Sequence, residues 1–137
     1  MEDKLRHLEM IENVIQRMAN NSFQLKGWAV TIVGIIGGLS ANGSDKRFFL
    51  LTFVPLIMFW FLDTFYLQLE RKFGVLYDNV RVKNETDFSM NIGEIVCDAN
   101  QAKKLCYCNC LFSKTEAWFY IPIIAAVMAV AVILKVW

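Results

Sequence analysis

The apolar residues of this chain gather into three long segments that polar residues separate. The first segment, 27–41, is uncharged; the second, 48–67, carries a single charge at Asp63; the third, 118–134, is uncharged and flanked by aromatic residues. A helix needs about 20 apolar residues to cross a hydrocarbon core of roughly 30 Å. The second and third segments meet that length, and the first meets it with the apolar residues in front of it. The pattern predicts an all-α membrane protein with three transmembrane helices; a buried hairpin in a soluble protein is the alternative.

The residues before the first segment repeat apolar positions at intervals of three and four. Leu8, Ile11, Ile15 and Met18 form this stripe, and the same register continues into 27–41. Such a stripe is typical of an amphipathic helix. We therefore predict one long helix that begins near the N-terminus and runs into the membrane. A helix lying flat on the lipid headgroups is the alternative.

Helical periodicity also continues beyond the second segment, as far as Val80. The pairs Asn91 with Glu94 and Ser113 with Glu116 have the spacing of a capping box, which predicts helices that begin near Ile92 and after Ser113. The predicted division of the chain is a cytoplasmic amphipathic helix over 1–26, a transmembrane hairpin over 27–67, a helical cytoplasmic region over 68–115 and a third transmembrane helix over 116–137.

Composition and charge support this interpretation and set the orientation. The chain is 56% hydrophobic with a net charge of +1, and its mean hydropathy is +0.39; the low net charge excludes a polybasic protein that coats nucleic acid. Of its 14 Lys and Arg residues, 11 lie in the N-terminal and central polar segments. Because basic residues remain on the cytoplasmic side of a membrane, we predict a cytoplasmic N-terminus and a C-terminus on the far side.

One face of the first apolar segment consists of small residues, including Thr31, Gly34 and Gly38. Small residues let helix backbones approach closely in lipid, so this face predicts helix packing, either between copies of the chain or within one subunit. Asp63 and Glu70 lie on one stripe of the second helix. A carboxylate inside a membrane usually faces a bundle interior or a water-filled path, and in a ring of subunits Asp63 and Glu70 would favour cations. An Asp63 bonded to a neighbour or reaching the interface is the alternative.

Four basic residues on the extension of the second helix form a candidate site for an anionic ligand: Arg71, Lys72, Arg81 and Lys83. With the aromatic residues between them, they suit phosphates and stacked bases. The same charges are also what cytoplasmic placement requires, and they attract anionic lipids.

The central segment contains four cysteines: Cys97, Cys106, Cys108 and Cys110. The single-residue gaps within the last three differ from the paired spacing of a structural zinc site, and reduced thiols are the favoured interpretation in a cytoplasmic setting. The sequence contains no phosphate-binding glycine loop, HExxH or GxSxG motif, and His7 is its one histidine. We predict no enzymatic activity, no cofactor and no metal.

Several strings give the chain a family resemblance. They are RMANNSFQLKGWAVTIVG, FWFLDTFYLQLERKFGVLYDNVR, DFSMN and LFSKT. The chain resembles the small multi-span membrane effectors of bacterial anti-phage defence loci, among which the Hailong-type channel effector is the nearest. The resemblance implies an oligomeric channel in the bacterial inner membrane that depolarises the cell on infection. It also implies control by a cytoplasmic nucleotide or oligonucleotide and a companion nucleotidyltransferase or other sensor.

Two functions therefore compete. The first is a homo-oligomeric, ligand-gated channel, because one protomer of three spans is too small to enclose a conduction path. The second is a non-conducting membrane adaptor that recruits a soluble partner through its cytoplasmic helices. A secondary transporter is less favoured, since the sequence has no inverted repeat.

Overall fold

The computed structural model describes residues 1–42 and 46–134, and this part of the chain is helical without strands. Its long helices are α1, Glu2–Ala41, α2, Phe53–Val82, and α5, Lys114–Ile133. Two short helices, α3, Ala99–Leu105, and α4, Tyr107–Leu111, precede α5. Two 3₁₀ helices cover Lys46–Thr52 and Ile92–Glu94. The predicted all-helical fold is confirmed.

Three helices are long and apolar enough to cross a membrane, within the two described ranges. They are α1, α2 together with all but the first residue of the 3₁₀ helix before it, and α5. The predicted single helix from the N-terminus through the first apolar segment is confirmed by α1. The predicted extension of the second helix as far as Val80 is confirmed, since α2 ends at Val82.

Helix α2 begins later than its apolar segment does. The chain forms the 3₁₀ helix Lys46–Thr52 first, and α-helical structure begins at Phe53. Pro55 gives the physical reason, because its ring clashes with the carbonyl four residues earlier and it has no N–H to donate. Pro55 is therefore best placed in the first turn of an α-helix, where its missing N–H is not needed, and a tighter 3₁₀ turn precedes it.

The two predicted helix caps have different outcomes. Ser113 accepts the N–H of Glu116 at 3.4 Å and begins α5, as predicted. Asn91 caps only a single 3₁₀ turn, and its side chain accepts the N–H of Gly93 at 2.9 Å rather than that of Glu94. The helix predicted from Ile92 therefore ends at Glu94, and helical structure resumes at Ala99.

Contacts divide the chain into two compact units. The polar unit consists of 1–22 and 65–110, and the apolar unit consists of 23–64 and 111–137. Ile11, Leu76 and Val80 form the buried core of the polar unit. The apolar stripe of α1 packs there against α2.

Two buried clusters fill the interior of the apolar unit. The first centres on Ala29, Leu56 and Tyr120, which α1, α2 and α5 contribute in turn. The second contains Phe49, Val127 and Ala131. Large apolar side chains also cover the outside of this unit; Trp28, Phe23 and Trp118 are 65%, 78% and 76% exposed. An outer surface this apolar suits a lipid environment rather than water.

Candidate functional site

A cluster of charged side chains lies inside the apolar unit. The ammonium of Lys26 on α1 forms ion pairs with the carboxylates of Asp63 on α2 and Glu116 on α5. Asp63 and Glu116 are fully buried, and the Lys26 side chain is 15% exposed. We call these three residues the charge cluster. It joins the three long helices of the apolar unit at one point.

Helix geometry explains how α5 supplies its part of the cluster. Ser113 fixes the start of α5, so Glu116 lies in the first turn and Tyr120 follows one turn later on the same face. The Tyr120 hydroxyl donates to Asp63 Oδ2 at 3.1 Å and lies 3.4 Å from the carbonyl oxygen of Phe59. The Tyr120 ring stacks on Trp60, with ring centroids 5.9 Å apart.

The two carboxyl groups of the cluster differ in their hydrogen bonding. Oδ2 of Asp63 accepts bonds from Lys26 Nζ and from the Tyr120 hydroxyl. Oε1 of Glu116 accepts one bond from Lys26 Nζ at 3.2 Å. Oε2 of Glu116 is buried and has no hydrogen-bond partner among the described residues. Asp63 is therefore the better stabilised carboxylate of the two.

The predicted pore and packing residues occupy two different environments. Thr31, Gly34 and Gly38 are exposed on α1, and a Cβ atom added at either glycine meets nothing within 4 Å. Asp63 lies instead inside the protomer, bonded to its neighbours, which is the alternative left open for it in the sequence. Glu70 is half-buried and belongs to the polar unit, whereas Asp63 belongs to the apolar unit.

The predicted ligand-binding residues are separated along α2. Arg71 donates to the carbonyl of Lys104 at 2.9 Å and lies 3.5 Å from the sulfur of Cys110, so its guanidinium group connects α2 to the segment containing α3 and α4. Arg81 is exposed and contacts Asp78 at 3.7 Å. Ten residues of helix place Arg71 and Arg81 about 15 Å apart along the axis. Lys72 is half-buried and Lys83 is exposed.

A cavity of about 280 Å³ opens beside the end of α2 in the polar unit. Lys83 is its basic lining residue, while Asp87 and Glu94 contribute carboxylates to the same wall. The N–H of Ser89 bonds the Asp87 carboxylate and holds its pKa below the usual range. The lining therefore combines both signs of charge instead of forming a purely basic pocket.

His7 is a second buried polar residue that connects distant segments. Its Nε2 donates to the carbonyl of Ser89 at 3.0 Å, and its Nδ1 bonds the hydroxyl of Thr86. Phe88, between these partners, adopts a left-handed backbone with φ of 53°, which is unfavourable for a residue with a large side chain. His7 thus fixes the loop after α2 against the first turns of α1.

The four cysteines also differ from one another. Cys110 is buried near Arg71 and near the carbonyl of Lys104, and Cys106 and Cys108 are exposed. Within the described residues, no group of three or more His, Cys, Asp and Glu side chains is arranged to hold a metal ion.

Comparison with known proteins found no matching family model, no matching curated protein and no matching solved structure.

Sequence reasoning missed three members of this site: Lys26, Glu116 and Tyr120. Lys26 counted only as a basic residue flanking a span, and Glu116 counted only as a helix-capping residue. The sequence did contain a signal for this site. Lys26 and Glu116 adjoin apolar segments, and Asp63 interrupts one. Charges in such positions tend to pair with one another.

Proposed function

We propose that the chain is a subunit of a homo-oligomeric membrane channel. The observation that carries the proposal is the exposed small-residue face of α1. Gly27, Gly34 and Gly38 leave open space where a Cβ would lie, so a second helix can approach that backbone closely. Two apolar clusters fill the interior of the apolar unit, so ions would pass between copies.

The proposed setting is bacterial anti-phage defence, as the resemblance of the sequence implies. A channel that opens on infection would depolarise the inner membrane and stop the growth of the infected cell. A companion nucleotidyltransferase or another sensor would supply the signal. A cytoplasmic N-terminus would place the polar unit where such a signal arises.

We propose the basic pair at the end of α2, Arg81 and Lys83, as the contact for a nucleotide or oligonucleotide. Both side chains are exposed, and Lys83 lines the cavity. Arg71 is the weaker candidate of the four basic residues, because its guanidinium group already bonds a carbonyl of the protein.

Conduction is tested by reconstituting the purified chain in liposomes loaded with a fluorescent dye or with potassium. If the gating signal opens the channel, the liposomes release their contents when the signal is added. If the signal holds the channel closed, they release their contents when the signal is absent. If the chain is inserted as an oligomer and the liposomes retain their contents both with and without the signal, the chain is not a channel.

Gating is tested with Arg81→Gln combined with Lys83→Gln. Loss of two phosphate contacts should weaken nucleotide binding and lower its dependence on salt, because fewer counterions are released. Lys103→Gln with Lys104→Gln is the matched control, since it removes the same charge from exposed residues of the polar unit. Equal binding by the parent and both variants would leave Arg81 and Lys83 as topology determinants only.

A non-conducting membrane adaptor is the second candidate. The observation that favours it is a pair of apolar side chains at the rim of the cavity, where Val82 and Val96 are 78% and 77% exposed. Exposed apolar residues beside a cleft are typical of a surface that receives a partner. An adaptor would recruit a soluble protein to the membrane and leave liposomes tight.

A further inference from the structure

The charge cluster does not balance its own charge. It contains one ammonium group, Lys26, and two carboxyl groups, Asp63 and Glu116. With all three groups ionised, the cluster carries one net negative charge inside a unit with an apolar interior. An uncompensated buried charge is unfavourable, so the cluster needs one more unit of positive charge.

Hydrogen bonding indicates where that charge binds. The Asp63 carboxylate accepts bonds from Lys26 and from the Tyr120 hydroxyl, and donors of this kind stabilise an ionised carboxylate. Oε2 of Glu116 is buried without a partner in the described part of the chain. The extra positive charge is therefore needed at Glu116 rather than at Asp63.

We infer that the charge cluster is a proton-binding site in which the Glu116 carboxyl group holds the proton. Glu116 takes a proton from a hydronium ion of the solvent, which becomes water; its carboxylate becomes a neutral carboxylic acid, and the cluster changes from a net charge of −1 to zero. The change needs no oxidant, reductant or other co-reactant. The inference does not depend on the proposed channel, because it concerns a single protomer.

A proton fits this site better than a metal cation does. Hard cations require several oxygen ligands around them. The oxygens of Asp63 and Glu116 already surround the Lys26 ammonium, which occupies the place where a cation would bind. The described residues supply no further cluster of acidic side chains at this point.

The groups that face Glu116 come from each of the three long helices. Lys26 comes from α1, Asp63 from α2, and Tyr120 from α5 itself. Lys26 also lies 5.7 Å from the centre of the Phe119 ring, a position that stabilises a cation. The variable part of the cluster is then the proton on Glu116.

Infrared spectroscopy of the full chain in lipid nanodiscs tests the proposal. A neutral carboxylic acid has a carbonyl stretch separate from the bands of a carboxylate, and this stretch shifts in heavy water. We expect the stretch at about pH 5, where an ordinary glutamate is already mostly ionised, and its loss with release of about one proton per chain as the pH is raised. Glu116→Gln should abolish it, and Glu94→Gln, at an exposed position of the polar unit, should not.

Isotope labelling keeps the test decisive if Glu116→Gln does not fold. The stretch should shift when glutamate carries ¹³C in its side-chain carboxyl group and stay in place when aspartate does. Absence of the stretch from about pH 5 to about pH 9 would overturn the proposal. A shift of the stretch on aspartate labelling would also overturn the proposal. Carboxylate bands that change with sodium concentration and not with pH would overturn it too.

Discussion

Lys26 is the residue that makes two buried carboxyl groups compatible with an apolar interior. Its ammonium group contacts Asp63 and Glu116 at once, and its ring contact with Phe119 adds to the cation's stabilisation. Removing one member of a buried ion pair is costly, because the remaining charge loses its compensation. The stability of the apolar unit should therefore depend on this one side chain.

Replacing Lys26 by methionine keeps the length of the side chain and removes its charge. We expect Lys26→Met to lower the free energy of unfolding by about 3–5 kcal/mol. Thermal unfolding of the purified protein in detergent micelles measures the effect. Lys114→Met is the matched control, because Lys114 is an exposed lysine of the same unit. Equal unfolding temperatures for both variants would show that the ion pairs add nothing to stability.

His7 gives a second prediction at the scale of one residue. Both of its ring nitrogens are hydrogen-bonded to half-buried partners, and losing such a hydrogen bond costs about 0.5–1.5 kcal/mol. His7→Ala should therefore release the loop after α2, which hydrogen exchange of the backbone amides over 84–91 detects. Arg6→Ala, at an exposed neighbour, should leave that exchange unchanged. Equal protection of the loop in parent and His7→Ala would refute the role of His7.

Helix α1 presents different faces in its two halves. In its first half, Ile11 is fully buried against α2. In its second half, Gly34 and Gly38 are exposed with open space around them, while Ala29 packs into the interior. A face that the protomer does not use for its own packing is available to another copy.

Assembly is predicted to depend on that face. Gly34→Leu and Gly38→Leu should each shift the purified protein towards smaller species, because a branched side chain keeps a second helix at a distance. Native mass spectrometry in detergent measures the species. Gly37→Leu is the control, since Gly37 lies off this face and also has open space at its Cβ position. An unchanged oligomer in both face variants would assign the face to lipid.

The helices that depend on local sequence patterns were predicted well. Periodicity gave the long course of α1 and the extension of α2, and the Ser113 cap gave the start of α5. The 3₁₀ helix before Phe53 was not predicted. An apolar run alone does not distinguish a 3₁₀ helix from an α-helix, although Pro55 was a usable signal. The turn at Asn91 was predicted as a longer helix, since a cap signal does not specify how far a helix continues.

The whole molecule has a predicted orientation, with its N-terminus in the cytoplasm. The chain contains its own probes, because Cys106 and Cys108 are exposed in the polar unit. We expect a membrane-impermeant thiol reagent to leave these cysteines unmodified in intact cells and to label them after permeabilisation. Asn42→Cys in a background with all four cysteines replaced by serine should react in intact cells. The reverse pattern of labelling would invert the topology.

The sequence by itself determined the helices, their approximate limits and the apolar character of three of them. Each of these properties depends on residues within a few turns of one another, so periodicity and composition suffice. Only the tertiary structure decided what the charged residues do. Lys26 is separated from Asp63 by 37 positions and from Glu116 by 90. Whether such residues meet depends on how α1, α2 and α5 rotate and pack, and no local pattern contains that information.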